Sequence, residues 1–256
     1  MRTLAVVNRK GGTAKTTTVV NLAATLASRG ARVLVVDLDA QSNATAWLGC
    51  LDGGRLLHDV LTNNGKGLEG AVVESNTAGV DLIPASAWLS STERVLSGEP
   101  GAELVFRKAL RALPPRWDYV LVDAAPTLGL LVVSALTAAD AVLVPVEPSP
   151  MALSGVASLL DTVEMVRDRL NPALVLAAVI PSRVDSRTTL ARDVVKALEE
   201  RFGELVSPPI RESIRLREAA GHSQPIHIYD PKGTGSADFA ALAAFIETAT
   251  PAPAIH

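Results

Sequence analysis

The stretch Leu4-Ala5-Val6-Val7-Asn8-Arg9-Lys10-Gly11-Gly12-Thr13-Ala14-Lys15-Thr16-Thr17-Thr18 decides the fold. It opens with a short apolar run, which is typical of a strand buried on both faces. The glycines and the Lys-Thr-Thr triplet follow, and helical periodicity then extends from Thr16 to Ser28, with Gly30 placed to end the helix. At such a strand-to-helix turn, backbone N–H groups and the positive end of the helix converge on an anion. The stretch therefore predicts a phosphate-binding loop.

The rest of the chain repeats the alternation of strand and helix. Apolar runs without polar alternation lie at 4–7, 33–36, 119–122, 141–144 and 174–180, with weaker runs at 71–73 and 80–83. Helical patterns cover 16–28, 151–169, 188–202 and 236–248. This order predicts right-handed crossovers and a doubly wound α/β fold with a mostly parallel sheet flanked by helices. We expect a single domain over 1–256, with a flexible loop at 62–70 and a frayed tail at 250–256.

Composition limits the class of protein further. The 256 residues are 48% hydrophobic and 20% charged, which suits a large core and excludes a disordered, collagen-like or coiled-coil chain. The formal net charge of -3 excludes a global basic field, so any nucleic acid must meet a local patch. Cys50 is the sole cysteine and cannot form an intrachain disulfide. With no signal-like or membrane-length apolar run in the sequence, we expect a cytoplasmic protein.

The residue types in the loop indicate a nucleoside triphosphate with magnesium. Gly11 and Gly12 let the backbone wrap around phosphate oxygens. The Lys15 ammonium can reach the β and γ phosphates, the Thr16 hydroxyl can ligate Mg²⁺, and Thr17 can contact the α phosphate. The expected nucleotide-binding set is Lys10, Gly11, Gly12, Thr13, Ala14, Lys15, Thr16 and Thr17. A general P-loop has glycine at the Ala14 position, where a positive φ would strain the methyl group.

The pattern Lys10-Gly11-Gly12-x-x-Lys15-Thr16-Thr17 resembles the deviant Walker A box of the ParA/MinD class of ATPases. The resemblance extends in the right order from residue 3 to about residue 247, through the segments 37–45, 119–129, 144–147 and 229–232. Together these motifs are specific to ParA-type partition ATPases. The departures from the family pattern are Ala14 and Ser42 for glycine, and Ala40 and Ala125 for proline.

The resemblance implies roles for the charged residues, with ATP and Mg²⁺ as cofactors. Asp123 ends a hydrophobic strand and would hold Mg²⁺ together with Thr16, while Asp39 would orient or activate the attacking water. Asp37 would either support the metal site from behind or cap the next helix. Lys10 would reach across a dimer to the partner's phosphates, so the expected catalytic set is Lys10, Lys15 and Asp39.

The resemblance also implies a DNA-binding patch in the C-terminal third. Composition alone describes a mixed, solvated surface there. Arg187 lies in Asp185-Ser186-Arg187-Thr188-Thr189-Leu190, which resembles the family's D-x-R-T-N-L, and Arg215 lies in a segment that resembles V-R-L. Arginines at these positions would contact DNA phosphates without reading sequence, with Arg217 a weaker candidate. Glu212 stands where the family often has a further arginine.

The family therefore implies a nucleoid-associated ATPase that dimerises with ATP. It would bind double-stranded DNA nonspecifically and segregate a chromosome, plasmid or other cargo with a ParB-like activator, hydrolysing ATP slowly on its own. A MinD-like ATPase on a membrane surface is an alternative, but it needs a basic amphipathic C-terminal helix, and 239–249 contains no lysine or arginine. A very slowly hydrolysing nucleotide-dependent scaffold is a second alternative, suggested by Ala14 and Ala40.

Overall fold

A computed structural model describes residues 1–249, and its centre is a sheet of eight strands. In chain order the strands are β1 (Arg2–Val6), β2 (Val33–Leu38), β3 (Val73–Glu74), β4 (Val80–Ile83), β5 (Tyr119–Ala124), β6 (Ala141–Val146), β7 (Val175–Val184) and β8 (Ile210–Arg211). Their order across the sheet is β3-β4-β2-β5-β1-β6-β7-β8, and only the β3–β4 pair is antiparallel. The predicted doubly wound, mostly parallel α/β fold is confirmed.

Helices cover both faces of the sheet. They are α1 (Lys15–Ser28), α2 (Asn43–Trp47), α3 (Leu56–Thr62), α4 (Leu89–Leu96), α5 (Ala102–Arg111), α6 (Leu130–Ala138), α7 (Ala152–Arg169), α8 (Thr189–Phe202), α9 (Ile214–Gly221), α10 (Ile226–Tyr229) and α11 (Thr234–Ala249). Helices α3 to α8 pack into one apolar core, and α1, α2 and α9 to α11 pack into the other. Because strands such as β1, β2 and β6 are buried along their whole length, they carry apolar side chains on both faces.

Several sequence-based boundaries need correction. The predicted loop at 62–70 is instead the end of α3, a short connection and a 3-10 turn over Leu68–Ala71, with Leu68 buried against the core. The weak strand predicted at 71–73 is only β3, a two-residue antiparallel edge strand. Strand β7 continues four residues beyond the predicted run. The tail predicted at 250–256 lies outside the described residues, and the single-domain assignment stays a prediction.

The strand order places the functional residues on one edge. Strands β1, β2, β5 and β6 are parallel neighbours, so their carboxyl ends all reach the same edge of the sheet. In the register, Asp123 on β5 pairs with Asp37 on β2 and with Val6 on β1. The crevice beyond the carboxyl ends is where ligands bind in open α/β sheets, because the strand order reverses there.

Two non-glycine residues at this edge have a left-handed backbone. Ala14, directly before α1, has φ 65° and ψ 28°, and Ser42, directly before α2, has φ 55° and ψ 34°. These are the two positions where the ParA pattern has glycine. A side chain with a β carbon is strained in this region by about 1 kcal/mol, so the family's preference for glycine has a conformational cause.

Replacing Ala14 by glycine should leave the stability unchanged or raise it by up to about 0.5 kcal/mol, because relief of about 1 kcal/mol of strain offsets the entropy that glycine adds to the unfolded chain. The change in free energy of unfolding can be measured by urea denaturation. Ala241→Gly is the matched control, since Ala241 is exposed within α11 and glycine there should destabilise the protein by about 1 kcal/mol. Equal losses of stability in both variants would contradict the strain at Ala14.

Candidate nucleotide-binding site

A cavity of about 430 Å³ opens at the carboxyl edge of the sheet. One wall is the predicted phosphate loop with the start of α1, and Asp39 and Gln41 after β2 form a second part. The opposite wall comes from β8, α9 and α11, and it includes Ile210, Arg211, Glu212, Ser213, Leu216, Arg217, Ala220 and Phe239. The volume and the mixture of apolar and charged walls suit a nucleotide-sized ligand.

Hydrogen bonds within the chain hold the phosphate loop in shape. The Asn8 side chain donates to the carbonyl of Pro145 at the end of β6 and accepts from the backbone N–H of Lys10, at 3.0 Å. The Thr13 hydroxyl donates to the carbonyl of Lys10 across the loop, at 3.2 Å. Gly12 has φ 78°, which glycine adopts without strain. The loop is therefore ordered around an anion-sized turn that leads directly into the N-terminus of α1.

Lys15, the first residue of α1, is a buried cation. Among residues 1–249, no acceptor forms a hydrogen bond or ion pair with its ammonium group. Burial lowers the pKa of Lys15, and the charges of Asp123 and Asp39 oppose that shift. An anionic phosphate in the cavity would give this ammonium group a partner.

Thr16 and Asp123 meet as the sequence predicts for a magnesium site. The Thr16 hydroxyl donates to Asp123 Oδ2 at 2.7 Å, while the buried Asp123 Oδ1 has no hydrogen-bond partner among residues 1–249. Burial raises the pKa of Asp123, and the nearby Asp37 raises it further. An unpartnered buried carboxylate oxygen beside a hydroxyl fits a Mg²⁺ ion that completes its shell with water and phosphate oxygens.

The sequence left two roles open for Asp37, support of the metal site or capping of the next helix. The structure supports the capping role. Its Oδ2 accepts hydrogen bonds from the backbone N–H and the hydroxyl of Thr45 in α2, at 2.9 and 2.8 Å. Its Oδ1 accepts from the N–H of Asp39 at 3.0 Å. Burial raises the pKa of Asp37 to about 6 against the opposing effect of these hydrogen bonds. Asp37 thus holds α2 and positions Asp39 beside the cavity.

Asp39 itself is half-buried and lines the cavity. Its Oδ1 accepts a hydrogen bond from the N–H of Gln41 at 3.0 Å, which fixes the turn after β2. This position at the cavity wall is compatible with the predicted role in orienting a water molecule.

Lys10 lies in an environment unlike that of Lys15. Its side chain is 53% exposed, and its ammonium group lies 3.1 Å from Glu147 Oε2, at the end of β6. Lys10 is not among the residues that line the cavity. The two lysines of the loop are therefore separated: one is buried at the site and the other faces outward.

A group of charged side chains was not predicted from the sequence as part of the site. Arg183, at the end of β7, lies 3.4 Å from Glu147 and 2.9 Å from Glu212. The hydrogen bond to Glu212 is the main cause that raises the pKa of Arg183. Arg217, predicted to contact DNA, lies 3.3 Å from Glu212 and lines the cavity instead of facing away from it.

The other predicted DNA-binding arginines lie near the same edge, because β7 and β8 are parallel neighbours with Val184 paired to Arg211. Arg187 is highly exposed and makes two hydrogen bonds to Asp185, at 2.9 and 2.8 Å. Arg215 lies 2.9 Å from Glu218. Each arginine therefore has a carboxylate partner with which a DNA phosphate must compete.

The comparisons with known proteins agree with this site. A family model described as an AAA domain matches residues 1–176. The chain is 38% identical over 244 residues to the sporulation initiation inhibitor protein Soj of Bacillus subtilis, covering 94% of this chain and 96% of Soj. It is 39% identical over 248 residues to the chromosome partitioning protein ParA of Caulobacter vibrioides, covering 95% and 92% of the two chains.

A solved structure shares the fold and was determined with a nucleotide. Cobyrinic acid a,c-diamide synthase from Mycobacterium smegmatis, with bound ADP and magnesium, aligns with a TM-score of 0.82 and 35% identity, covering 95% of this chain and 93% of that one. The fold and site thus define a P-loop NTPase of the AAA-domain family. Within that class, the chain belongs to the ParA-type ATPases, as the sequence motifs predict.

Lys15→Ala should abolish nucleotide binding without destabilising the nucleotide-free protein. No acceptor within the described part of the chain pairs with the Lys15 ammonium, so its removal relieves desolvation in the free state but would delete the proposed main phosphate contact. We expect the thermal shift produced by Mg²⁺ and ATP to disappear while the Tm without nucleotide stays equal or rises.

Lys196→Ala is the control for this experiment, because Lys196 is an exposed lysine on α8 that pairs with Glu200. It should retain the whole ATP-dependent shift. A Lys15→Ala protein that is still stabilised by Mg²⁺ and ATP to the same extent would contradict the assignment.

Proposed function

We propose that this chain hydrolyses ATP with Mg²⁺ and forms a dimer around the bound nucleotide. In that state it binds double-stranded DNA nonspecifically, and with a ParB-like activator it segregates or positions a chromosome, plasmid or other cargo. The names of Soj and of the Caulobacter ParA, and the ADP and magnesium in the Mycobacterium structure, support this proposal. The protein works in the cytoplasm, on the nucleoid.

One observation carries the proposal: the loop contains two lysines with opposite surroundings. Lys15 is buried, and its ammonium group has no hydrogen-bond or ion-pair partner among residues 1–249, so it suits a phosphate of the nucleotide bound there. Lys10 is exposed at the same loop and turned from the cavity. An exposed cation next to a nucleotide can meet the phosphates of a second subunit, and the γ phosphate then adds attraction that ADP lacks.

Nonspecific DNA binding follows from the placement of exposed arginines next to this face. Arg187 follows β7 and Arg215 follows the neighbouring strand β8, and both side chains are highly exposed. Their charges are balanced locally by Asp185 and Glu218, so one subunit has low affinity for phosphates. Two subunits joined by ATP double the patch, and this makes binding ATP-dependent and salt-sensitive.

The MinD-like alternative receives less support from the C-terminal helix. Phe239, Leu242, Ala243 and Ile246 of α11 are fully buried in the core next to α1. These core side chains are therefore not available to enter a membrane surface. Within residues 1–249, no helix combines the length and apolar character needed to cross a bilayer.

The scaffold alternative concerns the rate of hydrolysis. Ala14 adopts the backbone conformation that the loop needs despite its methyl group, and Asp39 reaches the cavity despite Ala40 beside it. These placements favour an active ATPase with slow turnover, accelerated by DNA and the activator. If no phosphate is released even with DNA and the activator present, the scaffold alternative is favoured.

Retention on DNA-coated beads tests the function as a whole. The protein should be retained with Mg²⁺ and ATP at low salt, lost at moderate salt, and lost with ADP or without nucleotide. Sedimentation with liposomes is the parallel arm. ATP-dependent pelleting with liposomes, without retention on DNA, would favour the MinD-like alternative and contradict the proposal.

Asp39→Ala should prolong the ATP-bound, DNA-retained state by about tenfold or more, because hydrolysis loses the group that orients water while the phosphate contacts remain. Phosphate release and the lifetime of the protein on DNA after dilution measure the effect. Asp59→Ala is the control, since Asp59 is exposed on α3 and pairs with Arg55. Normal phosphate release by Asp39→Ala would remove Asp39 from the catalytic set.

Arg215→Ala should weaken retention on DNA and lower its salt dependence, while ATP-dependent dimerisation is unchanged. Filter binding at several salt concentrations and a sizing column give the two readouts. Arg29→Ala is matched to it, because Arg29 also pairs with a glutamate, Glu247, but follows the C-terminal end of α1 at the opposite edge of the sheet. Undiminished DNA retention by Arg215→Ala would contradict the patch.

A further inference from the structure

Five charged side chains form a row of alternating sign at the edge of the phosphate loop. Glu147 lies between Lys10 and Arg183, with its two carboxylate oxygens 3.1 and 3.4 Å from their nitrogen atoms. Glu212 lies between Arg183 and Arg217, at 2.9 and 3.3 Å. The row connects the outward-facing lysine of the loop to α9.

Arg183 anchors the centre of this row. Two of its nitrogen atoms lie 2.9 and 3.5 Å from the oxygens of Glu212, and a third lies 3.4 Å from the carbonyl oxygen of Gly12 in the phosphate loop. Three contacts on one planar group fix its position more firmly than a single surface ion pair does. Glu147 therefore has a well-placed cation on one side and the flexible Lys10 side chain on the other.

The backbone at Arg183 indicates that this placement has a purpose beyond packing. Arg183 has φ 55°, a left-handed conformation that costs a non-glycine residue about 1 kcal/mol or more. The register between β7 and β8 shifts at the same point, between Ser182 and Val184. A bulge of this kind redirects a side chain, here toward Gly12, Glu147 and Glu212.

We propose that Glu147, anchored by Arg183, holds Lys10 within its own subunit and thereby opposes formation of the ATP dimer. This inference rests on the proposed function, because Lys10 has to leave Glu147 before it can reach a phosphate of the partner. Glu147 is then a positioning residue that sets how much nucleotide and protein the dimer requires. Phosphate and carboxylate compete for the same ammonium group.

The strength of the contact predicts the size of the effect. An ion pair as exposed as Lys10–Glu147 changes an equilibrium by about two- to fivefold. A symmetric dimer breaks two such pairs, so the factor enters squared. Glu147→Gln should therefore lower the dimer dissociation constant by about 4- to 25-fold, measured by sedimentation with Mg²⁺ and the non-hydrolysable analogue AMP-PNP.

A second readout tests the contact without any dimer. In the nucleotide-free protein, acetic anhydride should label the Lys10 amine about two- to fivefold faster in Glu147→Gln than in the parent protein, as quantified by mass spectrometry. Glu200→Gln removes the same charge from an exposed ion pair with Lys196 on α8. It should change neither the labelling of Lys10 nor the dimer dissociation constant.

The two readouts separate the possible failures. Unchanged labelling of Lys10 in Glu147→Gln would overturn the contact itself. Faster labelling with an unchanged dimer dissociation constant would overturn its opposition to dimerisation. A parent protein and a Glu147→Gln variant that both stay monomeric with AMP-PNP would overturn the proposed function, and the role of Glu147 with it. Faster labelling of Lys10 together with a lower dimer dissociation constant in Glu147→Gln would support the inference.

Discussion

The burial of charge at the carboxyl ends of β2 and β5 is the constraint on which the site depends. Asp37 and Asp123 are paired in register on neighbouring strands and are both removed from water, with the Lys15 ammonium close enough to affect Asp123. Burial raises the pKa of both carboxyl groups and lowers that of the lysine. Hydrogen bonds within the chain satisfy Asp37, whereas Asp123 Oδ1 has no hydrogen-bond partner among residues 1–249. A divalent cation beside Asp123 and a phosphate beside Lys15 would complete this arrangement.

The residues at the carboxyl ends of the strands have different proposed roles. In the proposed function, the turn after β1 would surround the phosphate, Asp123 at the end of β5 would bind the metal, and the turn after β2 places Asp39 at the cavity. Glu147 follows β6 and contacts the exposed Lys10, and Arg183 at the end of β7 contacts Glu147. The proposed dimer contact therefore lies next to the proposed catalytic site, so the state of the phosphate would affect both.

Local sequence predicts the parts of this molecule that depend on local physics. The apolar runs of the strands and helix α1 with its terminating Gly30 follow from patterns within a few residues. The opposite cavity wall could not be predicted, because Leu216 and Phe239 reach the site only through tertiary packing. The positive φ of Arg183 and the pairing of Arg217 with Glu212 have no signal in the sequence. The prediction of a flexible loop at 62–70 was wrong because the segment is mostly polar, although its Leu68 is buried.

The central claim is that a nucleoside triphosphate joins two copies of this chain, with Lys10 of each copy directed at the other. Molar mass measured by multi-angle light scattering in saturating Mg²⁺ and AMP-PNP tests it directly. The account predicts twice the mass of the 26.7 kDa chain with AMP-PNP, the mass of one chain with ADP, and one chain for Lys10→Ala under either condition. A single-chain mass for the parent protein with AMP-PNP, or a Lys10→Ala protein that doubles its mass as readily as the parent, would contradict it.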